Sequence, residues 1–284
     1  MSKTICPKNI CYGRCGFLLN SCDAYSDTWD AFFDLLNIYW PDLPYKVYLN
    51  TETINYKPKH SYSFEIITIN TSNTISWSKR LMKVLDIIEE DYVLMTLDDF
   101  FLQSLVKTDL IEKLIYMMEI DLTIASFQLT AARIAQEANV NIGEKLSLNL
   151  MSREGWKTHF IPTIWRKNVL RKWLRPWESI WGFEGYGSQR ARVWNYKEKV
   201  YTVDSPIIYD YLWVDRCSVI VNGKWYASPL VDQLFESNGI IIDFAKRGRI
   251  TLEEYKSHEM KWILSRYSLK QIVIKSFNRL LSLF

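Results

Sequence analysis

The segment from Asp91 to Leu102, D-Y-V-L-M-T-L-D-D-F-F-L, constrains this chain more than any other. Its apolar run, Tyr92 to Leu97, includes a β-branched Val and Thr and shows no polar alternation. Such a run reads as a strand buried on both faces of a parallel-type sheet. It ends in two adjacent carboxylates, Asp98 and Asp99, followed by aromatics. Open α/β sheets take their ligands outside the carboxyl ends of the strands. Two acids in that position suit a divalent cation held against a phosphorylated substrate. They would equally serve to open a solvated turn or to cap the next segment.

A chain of 284 residues has room for a full core in one domain, or at most two. Hydrophobic and charged contents of 48% and 24% are those of an ordinary globular protein, whereas an aromatic share of 15% is high. Aromatic faces pack on sugars and nucleobases, but they also fill cores. A net charge of +3 is too small to mark a nucleic-acid footprint, and no nucleic-acid partner is expected. Four of the five cysteines, Cys6, Cys11, Cys15 and Cys22, crowd together in a spacing that matches no common zinc signature. No apolar h-region precedes them, so reduced thiols and a cytoplasmic setting are expected. No apolar run approaches the ~18 residues that span a bilayer.

Along the chain, strands are expected at Gly16 to Leu19, Tyr45 to Leu49, Phe64 to Ile69, the Asp91 segment and Leu122 to Phe127. Helices are expected from Trp29 to Tyr39, from Ser76-Trp77 onward and from Asp109 to Met118. This alternation predicts an α/β fold with a mostly parallel central sheet flanked by helices. One domain is expected over 1–258, and a basic amphipathic helix over 259–284. From Met260 to Phe284 the chain holds five basic residues and no acid, with Leu269, Ile272, Val273, Phe277 and Leu280 at helical spacing. That pattern suits a helix lying on an anionic membrane surface, or equally one docked on the domain or on a second copy.

Four motifs occur in order: S-C-D-A-Y-S-D-T-W, W-S-K-R-L, Y-V-L-M-T-L-D-D-F-F-L, and I-W-R-K-N-V-L followed by L-R-P-W-E-S-I-W-G-F-E. Together they resemble bacterial GT-A-type glycosyltransferases of surface-polysaccharide gene clusters, over most of the chain. The resemblance implies a GT-A-like fold and a nucleotide-diphosphate-sugar donor, with a UDP-sugar favoured. It also implies a Mn²⁺ or Mg²⁺ ion, and a glycan or lipid-linked acceptor at the inner face of the membrane. The chain departs from a strict D-x-D pattern, carrying Leu97-Asp98-Asp99 instead.

Transfer from such a donor requires the leaving diphosphate to be neutralised, the acceptor hydroxyl to lose its proton, and both to be held in line. Asp99 is the first expected metal ligand and Asp98 the second, with Asp98 otherwise turned toward the sugar. In the first loop, Asp23 is expected to accept from ribose or base donors and Tyr25 to stack on the base, while Asp27 caps the Trp29 helix. Arg80 is expected at the pyrophosphate. Trp77 belongs to the donor pocket or to the core. The base is expected at Glu178 first and Glu184 second, six residues apart and therefore on different faces of a regular helix. Trp177 and Trp181 beside them are the expected acceptor-sugar platform, or packing. His258 is a candidate additional ligand, though a surface histidine is the plainer expectation. Neither a P-loop nor a G-x-S-x-G elbow is present. Two rivals stand beside the transferase: a metal-dependent nucleotidyl- or phosphotransferase using the same acids, and a non-catalytic carbohydrate-binding protein.

Overall fold

The computed structural model describes residues 14–129, 136–141, 146–215 and 217–257, with Leu280 alone beyond them. The chain opens with β1 (Cys15–Asn20), α1 (Trp29–Tyr39), β2 (Lys46–Thr51), β3 (Ile66–Asn70), α2 (Trp77–Ile87) and β4 (Tyr92–Thr96). Next come α3 (Thr108–Ile120), β5 (Ile124–Gln128), β6 (Gln136–Asn141), β7 (Ser147–Met151), β8 (Thr163–Arg166) and α4 (Lys167–Trp173). A short α5 (Ile180–Gly182) runs through a π-helical turn, Phe183–Gly187, into α6 (Ser188–Val193). The remaining elements are β9 (Lys199–Ser205), β10 (Ile220–Val221), β11 (Lys224–Tyr226), α7 (Pro229–Ser237), α8 (Phe244–Arg247) and β12 (Arg249–Ile250).

Nine strands form one sheet in the order β3-β2-β1-β4-β8-β5-β9-β7-β6. β1 pairs in parallel with β2 and β4, and β5 with β9. β8 and β7 run against the other strands. The expected α/β fold with a mostly parallel sheet is the one observed. β4 is buried along its whole length, as its uninterrupted apolar run demands.

Alternate side chains leave each central strand on opposite faces. Phe17, Leu19, Val47, Leu49, Tyr92 and Leu94 join α1 and α3 in one core cluster. Leu18, Tyr48, Val93 and Met95 join α2 and α4 in the other. In α1, Trp29, Phe32, Phe33 and Leu36 make the buried stripe. α2 starts at the Ser76-Trp77 pair as expected, and Ser76 caps it by accepting a bond from Lys79 N at 3.1 Å. Among the described residues no helix is long and apolar enough to cross a membrane. The helix expected over 259–284, the candidate ligand His258, and Cys6 and Cys11 lie outside the described residues, apart from exposed Leu280.

Candidate functional site

The carboxyl ends of β1, β2 and β4 share one edge of the sheet, because these strands are parallel. The loops that leave them, from Ser21, Glu52 and Leu97, therefore meet. β8 arrives at the same edge from the other direction: its first residue, Thr163, pairs with Met95 of β4. The segment just before β8 thus lies beyond the end of β4, at the edge that the acid pair also occupies.

Asp98 is 7% exposed and accepts a bond from the Ser21 hydroxyl. That hydroxyl in turn accepts from the Trp29 indole N–H at 2.7 Å. Asp99 accepts from the Ser218 hydroxyl at 2.7 Å through Oδ2. Its Oδ1 is buried with no hydrogen-bond partner among the described residues. Burial pushes the Asp98 carboxyl well above the usual carboxylate range, and the neighbouring Asp99 charge adds to the shift. Burial raises Asp99 to about 6, against the lowering effect of the Ser218 bond. Two carboxylates so placed, Asp98 buried and Asp99 half-buried, could hold a cation.

Tyr25 faces this pair. Burial first, and then the Asp98 and Asp99 charges, push its hydroxyl up to about 12. The Arg247 guanidinium lies 4.3 Å from the centroid of its ring, so one face of Tyr25 is already covered. Arg247 also donates to Ala24 O at 2.6 Å and forms a two-point pair with Asp27. Asp27 is therefore not the cap of α1. The capping position is Thr28, with no side-chain cap bond, and Asp27 instead anchors the C-terminal part of the chain to the first loop.

The Asp23 carboxylate is turned toward the loop after β2. It accepts from the backbone N–H groups of Glu52, Thr53 and Ile54 at 3.0–3.2 Å and from the Thr53 hydroxyl. It ties the loop after β1 to the loop after β2, leaving little of the carboxylate for ribose or base. Arg80 is 6% exposed and aims at the same junction, with Nη1 3.3 Å from Glu52 Oε1 and 3.5 Å from Ser21 O. Trp77 packs edge-on against Phe160, with ring centroids 4.9 Å apart, and also meets Phe183, which makes it a core residue at the rim of the site.

The two candidate bases separate. Glu178 is buried and grips Arg190 through both oxygens, one bond being 3.0 Å, while Arg190 also donates to Trp173 O. A carboxylate so held braces the fold and has no free side for an acceptor. Glu184 sits in the π-helical turn, and its Oε1 accepts from Phe160 N at 3.1 Å. That bond brings it to the segment before β8, at the edge where Asp98 lies. Trp177 and Trp181 are 55% and 75% exposed, open to solvent rather than packed. Trp156, close to the same segment, is also exposed.

Ser21, Trp29, Ser218 and Arg247 were not among the expected site residues. Ser21 stands inside the quoted first-loop motif and was within reach of a sequence reading. Ser218 and Arg247 are brought in by the fold alone. Trp29 also lines a cavity of about 650 Å³ between α1, the loop after β2 and residues 239–243, whose described walls include neither Asp98 nor Asp99.

Comparison with known proteins gives no matching family model and no matching curated protein. Solved structures that resemble the chain include S. aureus TarS 1-349, at 10% identity over 69% of this chain and 60% of that one, with a TM-score of 0.42. The chain thus spans about 60% of the length of that structure. The same TarS fragment in complex with UDP-GlcNAc matches at 8% identity over 82% of this chain and 69% of that one, with a TM-score of 0.43. A 2-C-methyl-D-erythritol 4-phosphate cytidylyltransferase from Thermus thermophilus matches at 11% identity, over 71% of this chain and 93% of that one, with a TM-score of 0.37.

Proposed function

We propose that this chain is a glycosyltransferase that moves a sugar from a nucleotide-diphosphate sugar, with a UDP-sugar favoured, to a glycan or lipid-linked acceptor of bacterial surface-polysaccharide synthesis. The observation that carries the reading is the Asp98–Asp99 pair just past the carboxyl end of β4, Asp98 buried and Asp99 half-buried, with Asp99 Oδ1 buried and lacking a partner among the described residues. The residues fit a Mn²⁺ or Mg²⁺ ion. Two mutually repelling carboxylates in a buried place gain from a shared cation, and such ions complete their shells with phosphate and water. Among the described residues no group of three or more His, Cys, Asp or Glu assembles, so this pair is what the described residues would supply. When bound, the ion would neutralise charge on the leaving diphosphate.

The chain's own residues do the rest. Ser21 and Ser218 fix the two carboxylates. Arg80 and Tyr25 border the space where diphosphate and nucleoside would lie, and Tyr25 offers the ring face that Arg247 leaves open. Glu184 is the base in this reading. The acceptor O–H bond breaks, with its proton passing to Glu184, as the acceptor oxygen bonds the anomeric carbon. The bond from that carbon to the phosphate oxygen breaks, and its electron pair leaves with the diphosphate. Inversion follows from this direct displacement. Exposed Trp177 and Trp181 provide faces for the acceptor sugars.

The test is nucleotide release from UDP-, GDP-, CMP- and dTDP-sugars with Mn²⁺, comparing wild type with Glu184→Gln and Glu178→Gln. Glu184→Gln should lose on the order of 10²–10⁴ in kcat while still folding. Turnover of nucleoside triphosphates to pyrophosphate, with no sugar transfer, would instead favour a nucleotidyltransferase.

A further inference from the structure

The segment 156–160 is fastened to the π-helical turn along its length. The Thr158 hydroxyl lies 3.0 Å from Phe183 O and 2.9 Å from Glu184 O, and Thr158 N donates to Ser188 Oγ at 3.2 Å. Gly187 eases this approach, since a Cβ there would lie 3.0 Å from Thr158 Oγ1. Turns of the π type are rare and concentrate at functional sites. This one delivers Glu184 against its neighbour on the facing segment, His159.

His159 Nε2 lies 3.4 Å from Glu184 Oε1, the same oxygen that Phe160 N holds. Glu184 Oε2 makes no hydrogen bond to a described residue. One carboxylate oxygen is thus held by the Phe160 N–H and approached by the His159 ring, while the other makes no such contact with a described residue. The His159 ring is set edge-on to Trp156, with centroids 6.1 Å apart and planes at 84°. Its Nδ1 is buried without a hydrogen-bond partner among the described residues. A histidine retained only for packing would ordinarily have that nitrogen bonded or in water.

We infer that His159 is a positioning residue for Glu184, holding Oε1 so that Oε2 meets the acceptor hydroxyl; this rests on the reading of Glu184 as the base. Burial lowers the His159 pKa, and the Glu184 charge opposes that effect. A neutral ring with its proton on Nε2 turns that N–H dipole toward Oε1 across 3.4 Å and does not compete for the acceptor's proton. Glu184 is the charged group that faces the ring from the π-helical turn. Glu154 and Lys157 belong to the ring's own segment, and Glu154 is turned to exposed Arg192.

Two measurements test this. The chain has only three histidines, so side-chain ¹⁵N NMR titration resolves them, with His159 assigned by its loss in His159→Gln. The His159 midpoint should lie below that of an ordinary histidine and fall further in Glu184→Gln; no movement would overturn the pairing. The second is nucleotide diphosphate release from whichever of the UDP-, GDP- or dTDP-sugars the wild type turns over. His159→Ala should lower kcat about tenfold or more at unchanged donor KM, with most of the loss recovered by His159→Gln, which keeps a donor near Oε1. If His159→Ala fails to fold, His159→Gln and the Glu184→Gln titration still decide. Wild-type kcat in His159→Ala, with Glu184→Gln inactive, would overturn this inference alone. Full activity in Glu184→Gln would overturn the base reading and the inference with it.

Discussion

Asp99 shows what a single buried carboxyl does to stability. With its pKa at about 6, it binds its proton more tightly folded than unfolded. Its contribution to stability is therefore fully present below the ordinary carboxylate range and is lost as pH rises toward 6. Above that, the charged form costs roughly 3 kcal/mol. Asp99→Asn should accordingly raise Tm in EDTA at pH 7.5, by on the order of 5 °C, and the difference should vanish below about pH 4. Scanning calorimetry across that range checks it, and a difference independent of pH would contradict it. The acid pair itself was legible in the sequence, because a buried strand and the residues that end it are one local pattern. Its partners were not. Ser218 is 119 residues from Asp99, and Arg247 is 220 residues from Asp27. Asp23 illustrates the same limit: its composition suits ribose, and only the fold shows that the backbone of residues 52–54 has taken its oxygens.

At the scale of elements, the first half of the chain was readable because each helix and strand carries its own period. α1, α2 and β4 fall where their apolar spacing and the Ser76 cap put them. The region after Leu174 was not, because its order depends on one buried ion pair. Glu178 and Arg190, 4% and 0% exposed, tie the turn before α5 to α6 and so hold the π-helical turn between them. The expectation that only one of Glu178 and Glu184 reaches a cleft followed from their six-residue spacing. The sequence favoured Glu178, and what it could not show is that Arg190 grips that carboxylate. Removing one partner leaves a buried charge alone, so Arg190→Ala should destabilise by about 3–5 kcal/mol in urea unfolding. The double variant Glu178→Leu/Arg190→Met should recover part of that loss, though not the bond to Trp173 O. Equal destabilisation by the single and double variants would show that the pair is not the brace.

Across the whole molecule, the sheet brings three parts of the chain to one edge: the loops after β1 and β2, the end of β4, and the segment entering β8 with its π-helical partner. The C-terminal part closes onto that edge through Ser218 and Arg247. The proposed function requires this edge to bind a nucleotide sugar together with a divalent ion held by Asp98 and Asp99. The most direct measurement is thermal shift with UDP-, GDP-, CMP- and dTDP-sugars, with and without Mn²⁺, on wild type and Asp99→Asn. Each variant is referred to its own ligand-free Tm, since Asp99→Asn is itself expected to be more stable. One nucleotide class at a hundred times its Kd should stabilise the wild type by about 2.7 kcal/mol in the presence of Mn²⁺. That increment should disappear in Asp99→Asn. No increment with any nucleotide sugar, or an equal one in Asp99→Asn without metal, would contradict the account.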